Sequence, residues 1–321
     1  KTCCRGFLIF VKMSFSVKIL GCGSALPMVK RFATAQIFEH NSHLFLIDCA
    51  EATQVQMMRY GVRLGMLNHI FISHLHGDHF FGIFGLLSSF SLMGRTADLH
   101  IFADIGLQNM LEAETSPVKL DELGFKVLFH SLNHKNPELI FENKSITVTS
   151  FPLRHRVPVC GFLFKEKVLQ RNIIKDCIEK YNISIADIVR IKNGNDYVCN
   201  DGKGIPNTDL TIDPPKPVSY AFVTDTRYRE DIVDIIKGCD LLYHEATYEN
   251  ALLTRAKETF HCTAGQAATI AKKAGVGKLI IGHYSGRYKD ASLLEKQARE
   301  IFPLSYAVDD GDVFEVKTLK K

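Results

Sequence analysis

From Ser14 onward, short apolar runs alternate with stretches of helical spacing. Val17–Leu20, Leu44–Asp48 and His69–Ser73 read as buried strands, and Ile146–Ser150, Ser219–Val223, Leu241–His244 and Leu279–Gly282 as further ones. Ala52–Tyr60, Tyr228–Lys237, Ala264–Ala274 and Ala291–Ile301 carry helical spacing between them. The later strands each deliver polar residues at their C-terminal ends. Strands that end in chemistry and are joined by helices predict an α/β architecture of helix-covered sheets. Gly21-Cys22-Gly23 after the first strand is a tight turn and not a dinucleotide fingerprint, because Leu26 stands where a third glycine is required.

Lys165–Pro217 breaks the pattern. Its strand periodicity is weak, it carries the polar run Asn193–Gly204, and it ends in Asp213-Pro214-Pro215-Lys216-Pro217. The expectation is an insertion or protruding arm at about 165–217, joined back by a stiff proline-rich connection, within a single domain spanning 13–319. Residues 1–12 are expected to form an extension outside that domain. Their apolar run, Phe7–Val11, is too short for a secretory signal and lacks a small-residue cleavage site, and Met13 follows at once. No window approaches the roughly 18 apolar residues of a membrane span.

Composition narrows the classes further. The 321 residues are 46% hydrophobic and 23% charged, an ordinary globular balance, and the net charge of +4 does not by itself predict a nucleic-acid partner. Three of those charges, Lys1, Arg5 and Lys12, lie in the extension. Nine cysteines, an odd number with no Cys-x-x-Cys pair, exclude a zinc ribbon and a thioredoxin-type site. They point to a reducing compartment and to cysteine as a small buried hydrophobe.

The chemistry starts at Ser73-His74-Leu75-His76-Gly77-Asp78-His79. In extended backbone, residues two apart point the same way, so His74 and His76 can hold one metal, with Asp78 and His79 facing a second position beside it. Three imidazoles and a carboxylate within six residues suit zinc and suit calcium or magnesium poorly. Asp78 can serve as ligand, as base or orienter of an attacking water, or as both. His155, Asp225 and His283 each follow an apolar strand-like run. Taken alone, His155 between two arginines also reads as a surface histidine, and Asp225 as a helix cap. His244 should face away from its neighbour Glu245, and it is assigned a structural role.

The His-x-His-x-Asp-His string after an apolar strand resembles the metallo-β-lactamase superfamily. The later elements resemble its ribonuclease Z branch: Leu20–Pro27, Pro152-Leu153-Arg154-His155, Thr224-Asp225-Thr226, His244-Glu245-Ala246-Thr247, His261-Cys262-Thr263 and Gly282–Ser285 with Arg287-Tyr288. The resemblance covers nearly all of Ser14 to Val316. It implies a four-layer αβ/βα sandwich with two Zn²⁺ per subunit at one edge. By resemblance, His155 completes the His74/His76 site, His283 completes the Asp78/His79 site, and Asp225 bridges both. His261 would donate the proton to a ribose 3′-oxygen leaving group, with Glu245 holding its imidazole; the other reading of His261 is the start of the 264–274 helix.

The activity implied is a zinc-dependent endoribonuclease that cuts the 3′ trailer from precursor tRNA, acting in the cytoplasm as a homodimer, with no membrane or DNA partner. The alternative is a hydrolase of small phosphodiesters or sulfate esters. Residues 251–303 carry nine Lys/Arg against four Asp/Glu, and Arg287, four residues after a ligand, is the candidate substrate contact. One departure from the family stands out. The insertion has nine Lys/Arg against eight Asp/Glu, and it reads Ser184–Arg190 where a Gly-Pro element of a basic tRNA-binding arm would be expected.

Overall fold

The computed structural model describes residues 15–26 and 28–316; the expected extension at 1–12 lies outside them. Two seven-stranded sheets form the centre of the molecule. The first runs in the order Val313–Glu315, Phe15–Gly21, Ala35–His40, His43–Cys49, Leu67–Phe71, Leu99–Ala103, Val127–Ser131. The second runs Ser305–Ala307, Lys278–Gly282, Leu241–Glu245, Ser219–Val223, Cys160–Glu166, Ile146–Pro152, Glu138–Glu142. In each sheet an antiparallel part joins a parallel part, whose crossovers are helical except for the one between Ser219–Val223 and Leu241–Glu245.

One cluster of buried side chains, including Phe38, Phe45, Phe71, Phe162, Phe164 and Tyr220, fills the space between the sheets and continues under the helices Ala264–Ala274 and Ser292–Arg299. A second seats Thr53–Arg59, Gly82–Leu92 and Ile105–Glu112 on the outer face of the first sheet. The result is the helix, sheet, sheet, helix layering that the family resemblance implies, with the helix-covered sheets that the strand and helix pattern predicts. Strands buried on both faces read as unbroken apolar runs; all five residues of Ser219–Val223 are buried. The helix at Ala264–Ala274 starts at the predicted residue because Thr263 caps it in a reciprocal box with Gln266, and it ends where Gly275 adopts φ +63°.

One expectation changes and one gains detail. Residues 231–238 form consecutive turns and not the predicted α-helix. Val233 N–H reaches the carbonyl of Glu230 and Ile235 N–H that of Ile232, three residues back in each case. Ile232 and Ile236 are still buried on one side, so apolar spacing reported which face is covered and not which hydrogen-bond ladder forms. The insertion is more than an arm. Between Cys160–Glu166 and Ser219–Val223, two short ribbons and three short helices enclose a core of their own: Ile183, Ile191, Tyr197, Ile205 and Leu210. Ser184 caps the helix Ile185–Lys192. No helix among the described residues is long and apolar enough to cross a membrane.

The turn between Gly77–Phe80 and Gly82–Leu92 packs directly on backbone. A Cβ added at Gly82 would lie 1.9 Å from the carbonyl oxygen of Ala50. Gly82→Ala is therefore expected to destabilise the fold by about 2 kcal/mol, read as a lower urea midpoint with an unchanged m-value.

Candidate active site

Seven strand-end or helix-start segments converge on one edge of the sandwich. His74 and His76 follow Leu67–Phe71, and Asp78 and His79 lie in the short helix Gly77–Phe80. His155 follows Ile146–Pro152, and Asp225 follows Ser219–Val223. Glu245 ends Leu241–Glu245, His261 precedes the capped helix at Ala264, and His283 follows Lys278–Gly282. The sequence-predicted ligands come together as two groups, His74/His76/His155/Asp225 and Asp78/His79/His283, each with its donor atoms within 4.8 Å of one another.

The donor spacing tests whether these groups fit metal ions. Ligands about 2.1 Å from one tetrahedral ion stand about 3.4 Å from each other. In the first group, His74 Nε2 is 3.1 Å from His76 Nδ1, and His155 Nε2 is 3.3 Å from it. Asp225 Oδ2 is 3.5 Å from His74 Nε2 and 3.7 Å from His155 Nε2. In the second, Asp78 Oδ2 is 3.5 Å from His79 Nε2 and 3.6 Å from His283 Nε2. Asp225 Oδ1 is 3.4 Å from His79 Nε2 and 3.1 Å from His283 Nε2. Asp225 thus turns one carboxylate oxygen to each group. The Nε2 atoms of His79 and His283 are buried without hydrogen-bond partners, as expected of lone pairs reserved for a cation.

The opposite ring nitrogens are tied down, which fixes the tautomers. His79 Nδ1 donates to Asp48 Oδ2 (2.7 Å) and His155 Nδ1 to the carbonyl of Phe260 (3.0 Å). The Ser73 hydroxyl donates to Asp48 (2.9 Å) and so accepts from His74 Nδ1 (3.0 Å). The Thr247 hydroxyl donates to Glu245 (2.7 Å) and accepts from His283 Nδ1 (3.0 Å). Asp48, Ser73 and Thr247 are the residues that sequence reasoning missed. The available signal was an acid closing the buried run Leu44–Asp48, but its partners lie 25 and 31 residues further along the chain.

Electrostatics separate the groups. Burial holds the imidazoles of His74 (to about 3), His76 and His155 below their ordinary range, so their lone pairs are available. Burial also opposes a charged His79, but Asp225, Asp78 and Asp48 outweigh it and raise that imidazole well above its usual value. Burial would likewise raise Asp225, yet His283, His79 and His74 hold it well below the carboxylate range.

Beside the two groups, His261 Nδ1 donates to Glu245 Oε1 at 2.9 Å, and Glu245 is fully buried. Burial works against both charges. The pairing prevails, lifting His261 to about 9 and holding Glu245 at about 2. A cavity of about 420 Å³ is lined by His76, Asp78, His155, Asp225, His261 and His283 among others, so His261 faces the same space as both ligand groups, with Glu245 buried behind it. Arg287 is not one of its lining residues: its guanidinium lies over the Tyr248 ring, with Nε donated to Ser285. Arg156 and Arg255 line the cavity instead.

Residues 15–172 match the family described as Anti-Pycsar protein Apyc1. The chain is 48% identical to ribonuclease Z of Bacteroides fragilis (strain YCH46) over 289 residues, covering 90% of this chain and 95% of the relative. It is 50% identical to ribonuclease Z of Bacteroides thetaiotaomicron over the same length, covering 90% and 91%. Among solved structures it is similar to human tRNase Z, short form, with a TM-score of 0.66, 26% identity and coverage of 93% and 98%. It also shares the fold of the metallo-β-lactamase fold protein YhfI from Bacillus subtilis, with a TM-score of 0.68, 18% identity and coverage of 95% and 100%.

Two outcomes follow from this geometry. Asp48→Asn keeps the shape but removes the charge behind His79, and it is expected to weaken metal affinity by about 10- to 100-fold, measured by chelator competition. In metal-free protein, the raised imidazole of His261 should keep its proton until about pH 9. Glu245→Gln removes the charge that favours the imidazolium and should move that titration to lower pH, followed by NMR.

Proposed function

The chain belongs to the ribonuclease Z family, and from that premise we propose that it is an endoribonuclease removing the 3′ trailer from precursor tRNA and leaving a 3′-hydroxyl on the tRNA. The observation that carries the reading is the ion pair in which buried Glu245 holds His261, whose ring lines the same cavity as the two ligand groups. A metal site alone serves many hydrolases; a held imidazolium beside it suits a reaction whose leaving group is an alkoxide.

His74, His76 and His155 would hold one zinc ion, Asp78, His79 and His283 a second, and Asp225 would serve both. When bound, zinc supplies Lewis-acid stabilisation of the phosphoryl oxygens and lowers the pKa of a water towards ~7. The residues themselves orient and move protons. Asp78 Oδ2 already accepts the backbone N–H of Ala25 at 2.7 Å, which fixes its carboxylate at the cavity wall, where it can also accept from an attacking water. His261 gives its Nε2 proton to the departing ribose O3′, while Glu245 keeps the ring aligned and stabilises its charge. Asp225 holds both halves of the centre in register.

Family resemblance supports a cytoplasmic homodimer. The seven cysteines among the described residues are all free, five of them buried, which agrees with a reducing compartment.

Zinc-loaded protein is expected to cut a precursor tRNA bearing a 3′ trailer. Hydrolysis of bis(p-nitrophenyl) phosphate with the precursor left intact would move the assignment to small phosphodiesters. His261→Ala should lower kcat on the precursor by about 10²- to 10⁴-fold with the metal content retained, separating loss of the acid from loss of a ligand.

A further inference from the structure

Two further cavities flank the central one, and they differ in charge. One, of about 490 Å³, opens past His76 and Asp78 and is walled by Met28, Phe32 and Phe81. Its one arginine, Arg31, is paired with Asp309 at 2.9 Å, and its remaining ionisable wall residue is the acid Glu51. The other, of about 570 Å³, shares only His261 with the centre. Its acids are already matched. Asp231 is bound by Arg229, and Glu230 by Lys273 and the Tyr228 hydroxyl, each of the latter at 2.6 Å. That leaves Arg154, Arg227 and Lys257 on its wall with no carboxylate partner among the described residues. Arg227 is steadied over the Phe260 ring, 4.6 Å from its centroid, and its N–H donates to the Arg154 carbonyl at 2.9 Å. The two arginines are thus set by backbone that also carries His155 and Asp225.

The position of the acid gives this asymmetry a direction. His261 stands between the centre and the basic cavity, and the group it protonates is the O3′ of the last retained nucleotide. We propose that the cleft of Arg154, Arg227 and Lys257 binds the backbone phosphates immediately 5′ of the scissile bond, on the tRNA side of the cut. This rests on the endonuclease reading above. Unpaired cations at the wall of a concave site attract phosphodiesters through charge, irrespective of base sequence, so the cleft sets where the strand lies and not which base it carries.

The test uses the zinc-loaded full chain and three precursor tRNAs: one unmodified, one with the two phosphates 5′ of the scissile phosphate replaced by neutral methylphosphonates, and one with the two on the trailer side replaced. The 5′ replacement is expected to raise KM about tenfold, the 3′ replacement far less. Lys257 is the residue to vary, because Arg154 and Arg227 adjoin ligand segments. Lys257→Ala should raise KM for the unmodified precursor and lower the salt slope of binding by about one. It should also lose part of the sensitivity to 5′ methylphosphonates. An equal or larger effect of the trailer-side replacement, or full 5′ sensitivity retained in Lys257→Ala, overturns the inference. Normal cutting with no 5′ effect removes this inference alone. Failure of wild-type protein to cut the unmodified precursor removes the endonuclease reading and this inference with it.

Discussion

Three carboxylates, Asp48, Asp225 and Glu245, are buried almost completely at one edge of the sandwich, and a buried carboxylate persists only where positive charge or N–H groups surround it. That requirement organises the site. Asp48 takes the N–H and hydroxyl of Ser73 and the Nδ1 proton of His79. Glu245 takes the N–H of Thr226, the N–H and hydroxyl of Thr247, and the ring of His261. Asp225 differs: apart from the Thr224 hydroxyl, which donates to its Oδ1 at 2.8 Å, its neighbours are imidazole nitrogens whose other ring atoms are already committed, so its charge is turned towards the space between the two donor groups. The first two carboxylates build the frame; the third faces the space where the two donor groups meet.

The backbone bends to meet this demand. Asp48, Asp225 and His283 all adopt positive φ, at +57°, +34° and +60°. For residues other than glycine such conformations are held only where the surroundings over-determine them, and they concentrate at functional sites. Each of the three comes at the end of a buried strand, where the chain must leave the sheet and still turn a side chain back over its edge. The parallel strands fix the position of that edge, and the short left-handed turns aim the side chains. Rigidity here comes from packed sheets behind the turns: the aromatic contact of Phe71 with Phe102 at 4.6 Å lies directly behind the segment that carries His74.

How much of this could be read along the chain depends on the range of each interaction. Patterns that are local survived well. The His74–His79 string, the Thr263-capped helix and the unbroken apolar strands all depend on neighbours within a few residues. The members of the two donor groups outside the string were legible through resemblance, and through strand ends that share one kind of position. Asp48 was visible only as an acid closing a strand, because its meaning lies in Ser73 and His79. Residues 231–238 have helical spacing of buried isoleucines, yet a span of eight residues held by side-chain pairs at its start and by Gly238 at its end settles as turns. The insertion showed only weak strand periodicity because its ribbons are two residues long, too short for any alternation to register.

Charge shows the same dependence on scale. Whole-chain charge, the near-neutral insertion and the basic stretch at 251–303 each describe a count along the sequence, and none says which cations remain unpaired in space. In the folded chain Arg31, Arg171, Arg229, Lys273 and Arg299 are all engaged with carboxylates, whereas Arg154, Arg227 and Lys257 face one cavity beside His261. Arg154 and Arg227 come from segments far apart in sequence and lie outside the basic C-terminal stretch. An RNA partner for a protein of such mild composition therefore poses no contradiction. The attraction need not be spread over the surface, because a few unneutralised cations next to a metal-binding centre act at the short range where the strand must be positioned, and longer-range charge is screened over about 8–10 Å at physiological salt.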